Sequence, residues 1–208
     1  MNRKEFNLLV EGWRSFLNES SSSSETHIVD IGEGRHVLVS QYALNHIQRH
    51  NEPGEGSVFK KGISESKILE MVKQVGNQVK DSGGLYTISE PGIGYDLVKT
   101  AEEVEQLLGS EFEENKVSVY KQERGQDVEV VGVKTEMPLS KFETDVVSLV
   151  IRPSNPAYLP EDVKNNSEVL NSIESGLSYS LLTAFPGDPD IPRASEWGDQ
   201  YVVIIPHT

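Results

Sequence analysis

Residues 41–50 read QYALNHIQRH, and this stretch predicts an amphipathic helix. Its apolar residues form a stripe that faces the core, namely Ala43, Leu44 and Ile47. His46 and His50 are four residues apart, so on a helix they share the other face, one turn from each other. Arg49 lies close to that face. Two imidazoles and a guanidinium on one surface form a small anion site that can also move protons near neutral pH.

The segments on either side of this helix predict both strands and helices. β-branched and aromatic residues with partial alternation predict strands at 27–31, 36–39, 84–88, 92–98, 116–120, 128–134, 146–152, 178–185 and 201–205. The strands at 84–88 and 92–98 are expected to pair around Glu90-Pro91-Gly92. Apolar spacing and the N-cap residues Ser64 and Thr100 predict helices at 64–75, 101–108 and 160–175. The first of these has the apolar stripe Ile68, Met71, Val72 and Val75, and in the second Glu103 stands in the capping-box position relative to Thr100. The expected fold is therefore α+β, with helices packed on a largely antiparallel sheet.

The N-terminal part of the chain predicts an arm on a flexible tether. Residues 1–18 carry apolar residues at helical spacing, which predicts an amphipathic helix. Residues 19–25 include five consecutive serines and are expected to be a Ser-rich linker. The predicted organisation is thus a helix at 1–18, a linker at 19–25 and an α+β domain at 26–208.

Composition excludes several classes of function. The 208 residues include no cysteine, so there is no disulfide framework, thiolate zinc site or cysteine nucleophile. No apolar run approaches the roughly 20 residues that cross a bilayer, and the N-terminus lacks a secretory apolar region. We therefore expect a cytoplasmic protein without a membrane partner. The net charge of −14 works against non-specific binding to nucleic acid.

His46 and His50 also allow two other interpretations. One is a solvent-exposed helix face, or a histidine whose hydrogen bonds the core satisfies. The other is a zinc site, because histidines four residues apart can bind zinc. Such helices normally carry a glutamate between the histidines and have a third ligand elsewhere, whereas here a cation, Arg49, lies between them. We therefore predict neither a metal nor another cofactor.

Three residues late in the chain are further candidates for binding a phosphate. Thr183 lies near the end of a predicted strand, where its hydroxyl can hydrogen-bond a phosphate. The other interpretation is that Thr183 is an ordinary β-branched strand residue. Arg152 ends an apolar strand and can pair with a carboxylate or hold a phosphate bidentately. Arg193, with Trp197 four residues later, offers a cation and a stacking surface.

The order of these motifs resembles the phage-borne nuclease-like families of the barnase, EndoU, colicin and RelE superfamily. The resemblance covers roughly residues 26–205. It rests on the two-strand opening, the His46–His50 helix, the helix start Ile63-Ser64-Glu65 and the strand end Leu182-Thr183-Ala184-Phe185-Pro186. It implies a toxin-like endoribonuclease that needs no metal, uses the RNA 2′-OH as nucleophile and leaves a 2′,3′-cyclic phosphate.

The same resemblance implies a role for each candidate residue. One of His46 and His50 is expected to act as the base on the 2′-OH or as the acid on the leaving 5′-oxygen. Arg49 is expected to stabilise the charge that grows on phosphorus, and Thr183 to fix a phosphate oxygen. The implied substrate is host RNA or a tRNA, in the cytoplasm of the host cell.

The sequence also allows functions other than that of a ribonuclease. A non-enzymatic acidic phage protein, either a virion component or an inhibitor of a host protein, is favoured by the charge of −14. A transferase that acts on a nucleotide such as NAD would use Arg152 and Tyr179. The segment Leu9-Val10-Glu11-Gly12 resembles the cleavage site of T4-like prohead proteases, which implies packaging in a phage head. The other interpretation of this segment is an ordinary helix in which Glu11 is exposed to solvent. The sequence does not predict an oligomeric state.

Overall fold

The structure, a computed structural model, describes residues 26–51, 56–123, 126–187 and 201–206. This part of the chain divides into two units. The larger unit lies within residues 23–97 and 138–190, and the smaller one includes residues 98–137 and the last strand. The predicted N-terminal helix and linker lie outside the described residues.

The described residues form ten β-strands and five α-helices. The strands are β1 His27–Gly32, β2 Arg35–Val39, β3 Val58–Phe59, β4 Gly84–Tyr95, β5 Val98–Thr100, β6 Lys116–Glu123, β7 Gln126–Thr135, β8 Glu143–Pro153, β9 Ser178–Pro186 and β10 Tyr201–Pro206. The helices are α1 Gln41–Gln48, α2 Glu65–Val75, α3 Ala101–Leu108, α4 Glu111–Glu114 and α5 Ser167–Glu174. Among these helices, none is long and apolar enough to span a bilayer.

The larger unit is built on a six-stranded sheet with the order β1-β2-β9-β8-β4-β3. Every neighbouring pair is antiparallel except β2 and β9, which run parallel. Strand β8 lies between β4 and β9, and residues 147–151 within it are all buried. Because side chains alternate between the two faces of a strand, the sheet is covered on both faces at β8. The predicted α+β class with a largely antiparallel sheet is confirmed.

The smaller unit contains a four-stranded sheet with the order β5-β10-β7-β6. Strand β10 runs parallel to β7, and the other two pairs are antiparallel. Helix α3 starts directly after β5 and buries Val104 and Leu108. The Thr100 hydroxyl accepts a hydrogen bond from Glu103 N at 3.2 Å, and the Glu103 carboxylate accepts one from Thr100 N at 2.8 Å. The predicted capping box is therefore confirmed.

The core of the larger unit joins two helices to the sheet. Helix α2 buries the stripe that the sequence predicts: Ile68, Met71, Val72 and Val75. Helix α1 adds Leu44 and Ile47 to the same apolar cluster, and the strands add Leu149, Ile151, Leu181 and Ala184. Ser40 and Ser64 cap the two helices, and each hydroxyl accepts a hydrogen bond from a backbone N–H at 3.2 Å. Local capping and apolar burial together fix both helices on the sheet.

The predicted hairpin around Glu90-Pro91-Gly92 is wrong. Residues 84–95 form the single strand β4, which pairs with β8 on both sides of an irregularity between Ser89 and Gly94. Gly92 has a φ of +63° there, and its N–H donates to the Asp145 carboxylate at 2.6 Å. A side chain of the neighbouring strand thus replaces a backbone partner, so the chain bulges instead of turning back.

Two predicted helices are shorter than expected. The helix predicted at 160–175 begins at Ser167, because the Asn166 side chain caps it by accepting hydrogen bonds from Glu168 N and Val169 N. The helix predicted at 41–50 ends as an α-helix at Gln48, and residues 49–51 form a tighter 3-10 turn. The tighter winding changes the direction of the His50 side chain relative to a continued α-helix.

Replacing Met71 with alanine tests the importance of the α2 stripe. Met71 is fully buried in the core, so Met71→Ala is expected to lower the free energy of unfolding by about 2–5 kcal/mol. Urea denaturation of the full chain measures this loss. Lys73→Ala, at an exposed position of the same helix, is the matched control and should change stability by less than about 0.5 kcal/mol. Equal effects of the two substitutions would contradict the assignment of the core face.

Candidate active site

Helix α1 and the turn after it place three predicted site residues side by side. His46 lies in the last turn of α1, and Arg49 and His50 lie in the 3-10 turn. The side-chain oxygen of Asn51 holds this turn by accepting a hydrogen bond from Ile63 N at 2.8 Å. Arg49 is exposed, whereas the two histidines are partly buried. The imidazole centroids of His46 and His50 are 6.0 Å apart with an angle of 82° between the planes, so the rings meet edge to face.

His46 is neutral at neutral pH. Its pKa is lowered from 6.5 to about 4, mainly by burial and also by electrostatic interactions with His50 and Arg49. A buried imidazolium next to a guanidinium is unfavourable, which is the physical reason for the shift. The imidazolium form of His46 is therefore only sparsely populated near pH 7.

A hydrogen bond fixes the tautomer of His50. Its Nδ1 lies 3.0 Å from the backbone carbonyl oxygen of Ser57. A carbonyl oxygen only accepts hydrogen bonds, so Nδ1 carries the proton and donates. In the neutral ring the lone pair then lies on Nε2, which is the arrangement that a general base needs.

Strand β9 contributes the aromatic neighbour of His50. The Phe185 ring centroid is 6.4 Å from that of His50. Thr183 lies two residues earlier and therefore on the same face of β9. Its hydroxyl oxygen is buried and has no hydrogen-bond partner among the described residues. A phosphate can reach this hydroxyl only if neighbouring side chains move, and its predicted role in binding a phosphate remains a prediction.

The structure adds two polar residues that the sequence analysis missed. The Ser57 hydroxyl donates to Asp96 Oδ1 at 3.2 Å, and both residues are buried. Asp96 follows directly after β4 and precedes the apolar pair Leu97 and Val98. A carboxylate in such an apolar setting is rarely buried unless it is paired, so its position was the signal that could have identified it.

Arg152 lies at the other end of β8 from the histidines. Its pKa is lowered by burial and raised in part by Tyr86. In the β8–β9 register Arg152 is opposite Ser180, whereas Ser148 is opposite Phe185. Four residues of strand correspond to about 13 Å. The structure therefore does not bring Arg152 to the histidine pair, and its role in substrate binding remains a prediction.

Arg193, together with Trp197, lies outside the described residues. Within the ranges that the structure describes, no three His, Cys, Asp or Glu side chains come together as potential metal ligands.

Comparisons with known proteins identify no relative of this chain. No protein-family model, curated protein or solved structure matches it. These results do not bear on the resemblance to the nuclease superfamily, which remains a prediction. Inferences about function rest on the residues of the site.

The low pKa of His46 predicts a loss of stability in acid. The unfolded chain takes up this proton near pH 6.5 and the folded protein only near pH 4, so the unfolded state binds more protons between these values. Stability is therefore expected to fall as the pH drops through this window, by at most about 3 kcal/mol from His46.

Urea denaturation between pH 7 and pH 4 measures this effect in wild type and in His46→Asn. The variant keeps a polar side chain but has no imidazole to protonate, while all other titrating groups are shared. We expect wild type to lose more stability than the variant on acidification. Parallel losses in the two proteins would show that His46 takes up its proton at an ordinary pH.

Proposed function

We propose that this chain is a metal-independent endoribonuclease in which His50 is the general base. The hydrogen bond from His50 Nδ1 to the Ser57 carbonyl is the observation that carries the proposal. It places the lone pair of the neutral ring on Nε2, and the preceding residue, Arg49, carries an exposed guanidinium whose charge acts on His46. A base for the 2′-OH proton and a cation for the charge on the phosphate oxygens are two of the groups that this reaction uses.

The proposed reaction is an internal transfer of the phosphoryl group. His50 Nε2 takes the proton of the 2′-OH, and the 2′-oxygen forms a bond to phosphorus as the bond to the 5′-oxygen breaks. The products are a 2′,3′-cyclic phosphate and a free 5′-OH. Since His46 is neutral at pH 7, the leaving oxygen takes its proton from water in this scheme, and the hydroxide that forms takes up the proton that His50 Nε2 accepted.

Arg49 and His46 have separate parts in the proposal. The exposed guanidinium of Arg49 stabilises the negative charge that grows on the phosphate oxygens. His46 contacts His50 edge to face and holds the ring in place without adding a second positive charge. This assignment leaves one histidine, His50, to exchange protons with the substrate.

A second candidate is a non-enzymatic acidic protein that binds a basic protein partner. It is favoured by the net charge of −14 and by the exposed carboxylates of α3 and α4, which are Glu102, Glu103, Glu105, Glu111, Glu113 and Glu114. Of these, Glu113 forms an ion pair with Lys116 at 2.6 Å. A surface of this kind repels RNA at long range and attracts cationic partners.

Cleavage of total tRNA in the presence of EDTA distinguishes these candidates. We expect wild type to cleave and to leave cyclic-phosphate ends. His50→Ala should lower the rate by about 10²–10⁴-fold, and Arg49→Ala by about 10²-fold. Thr183→Val should have a smaller effect than His50→Ala, because the Thr183 hydroxyl is shielded from solvent.

His27→Ala is the matched control, since His27 lies on β1 in the same unit and pairs with Glu65 at 2.9 Å. Its cleavage rate should equal that of wild type. Absence of cleavage by folded wild-type protein would overturn the ribonuclease proposal and leave the acidic binding protein as the better explanation. Cleavage that persists in His50→Ala would exclude His50 as the base.

A further inference from the structure

A buried carboxylate lies directly behind the hydrogen-bond partner of His50. The Ser57 carbonyl oxygen accepts from His50 Nδ1 at 3.0 Å, and the Ser57 hydroxyl donates to Asp96 Oδ1 at 3.2 Å. Ser57 and Asp96 are 6% and 5% exposed. One residue thus touches the proposed base with its backbone and the carboxylate with its side chain.

The surrounding backbone holds Asp96 in this position. Its N–H donates to the Phe142 carbonyl at 2.8 Å. A Cβ atom on Gly187 would lie 2.6 Å from Asp96 Cγ and 2.7 Å from Oδ1, so the carboxylate occupies space that only a glycine leaves open. Gly187 itself is fixed, because its carbonyl oxygen accepts from the buried Ser148 hydroxyl at 2.8 Å and its N–H donates to Val146 O at 2.9 Å. Phe142, directly before β8, and Gly187, directly after β9, therefore hold Asp96 beside Ser57.

The charge of Asp96 has a chemical consequence for His50. An asparagine has nearly the same shape and can accept the same hydrogen bond from Ser57, so a comparison of the two side chains isolates the effect of the charge. A negative charge behind the Ser57 peptide favours the Nδ1-protonated tautomer of His50 and the imidazolium that forms when Nε2 takes up a proton. The buried setting makes this influence larger than it would be in water.

We propose that Asp96 is a positioning residue for His50 and acts through Ser57. Asp96 orients the Ser57 hydroxyl, and this fixes the peptide whose carbonyl oxygen holds His50 Nδ1–H. The catalytic meaning of this arrangement rests on the proposed ribonuclease function. The effect of Asp96 on the tautomer and protonation of His50 does not depend on that function.

NMR of the full-length protein labelled with ¹⁵N and ¹³C in its histidines tests the proposal. The ring ¹⁵N shifts of His50 report its tautomer, and their pH dependence reports its protonation midpoint. In Asp96→Asn we expect the midpoint to move to lower pH by about 0.5–1 unit, with a smaller fraction of the Nδ1-protonated form. Ser57→Ala removes the hydroxyl but keeps the carbonyl, and it should move both quantities in the same direction.

Asp145→Asn is the matched control, because Asp145 is an exposed aspartate of the same unit. Its carboxylate accepts a hydrogen bond from Gly92 N, whereas that of Asp96 accepts one from the Ser57 hydroxyl. The His50 signals of this variant should match those of wild type. Identical His50 signals in Ser57→Ala, in Asp96→Asn where that variant folds, and in Asp145→Asn would overturn the proposal.

RNA cleavage by the same proteins keeps the two hypotheses apart. An Asp96-dependent shift of the His50 signals in a protein that cleaves no RNA would reject the ribonuclease function and support the positioning role. Cleavage together with unchanged His50 signals in Ser57→Ala and Asp96→Asn would support the function and reject the positioning role.

Discussion

The pairing of β8 with β4 on one side and β9 on the other determines where Phe185, Gly187 and Asp96 lie around the candidate site. The β9 register sets Phe185 opposite Ser148. Two residues later, the carbonyl oxygen of Gly187 accepts a hydrogen bond from the buried Ser148 hydroxyl. The β4 register brings Tyr95 opposite Glu143, so that Asp96 follows at the same end of the sheet. A slip of one residue in either pairing would send alternate side chains to the opposite face. The positions of Phe185 and Asp96 are therefore a consequence of strand register, whereas α1 and the 3-10 turn after it carry the histidines and Arg49.

Local signals in the sequence predicted the elements well, and long-range contacts account for what it did not reveal. The α2 stripe and the Thr100–Glu103 capping box depend on residues within one or two turns, and both are confirmed. The bulge in β4 depends on Asp145, which is 53 residues from Gly92. Likewise, the contact between Ser57 and Asp96 spans 39 residues. Neither the spacing of apolar residues nor a helix cap depends on such distant pairings, so the sequence alone did not predict this part of the site.

Electrostatics at the site are local and weakly cationic. Burial removes the charge of His46, and Lys60, which follows shortly after in the chain, is paired with Glu143 at 2.5 Å. Arg49 remains as an exposed cation on the His50 turn in a protein with a net charge of −14. Long-range attraction cannot concentrate a polyanion at such a site, in contrast to a basic surface. Activity would then depend on how accurately short-range contacts hold the base and the guanidinium.

The strand order also constrains when the protein can fold during its synthesis. Strands β1 and β2 form one ribbon and β3 and β4 another, and the strands that join them, β8 and β9, are made only with residues 143–186. Isolated two-stranded ribbons are marginal in water. In the smaller unit, β10 inserts between β5 and β7, so that sheet is also completed late. Both sheets therefore close only after nearly all of their residues have left the ribosome, and the early strands spend that time as exposed edges that chaperones can bind.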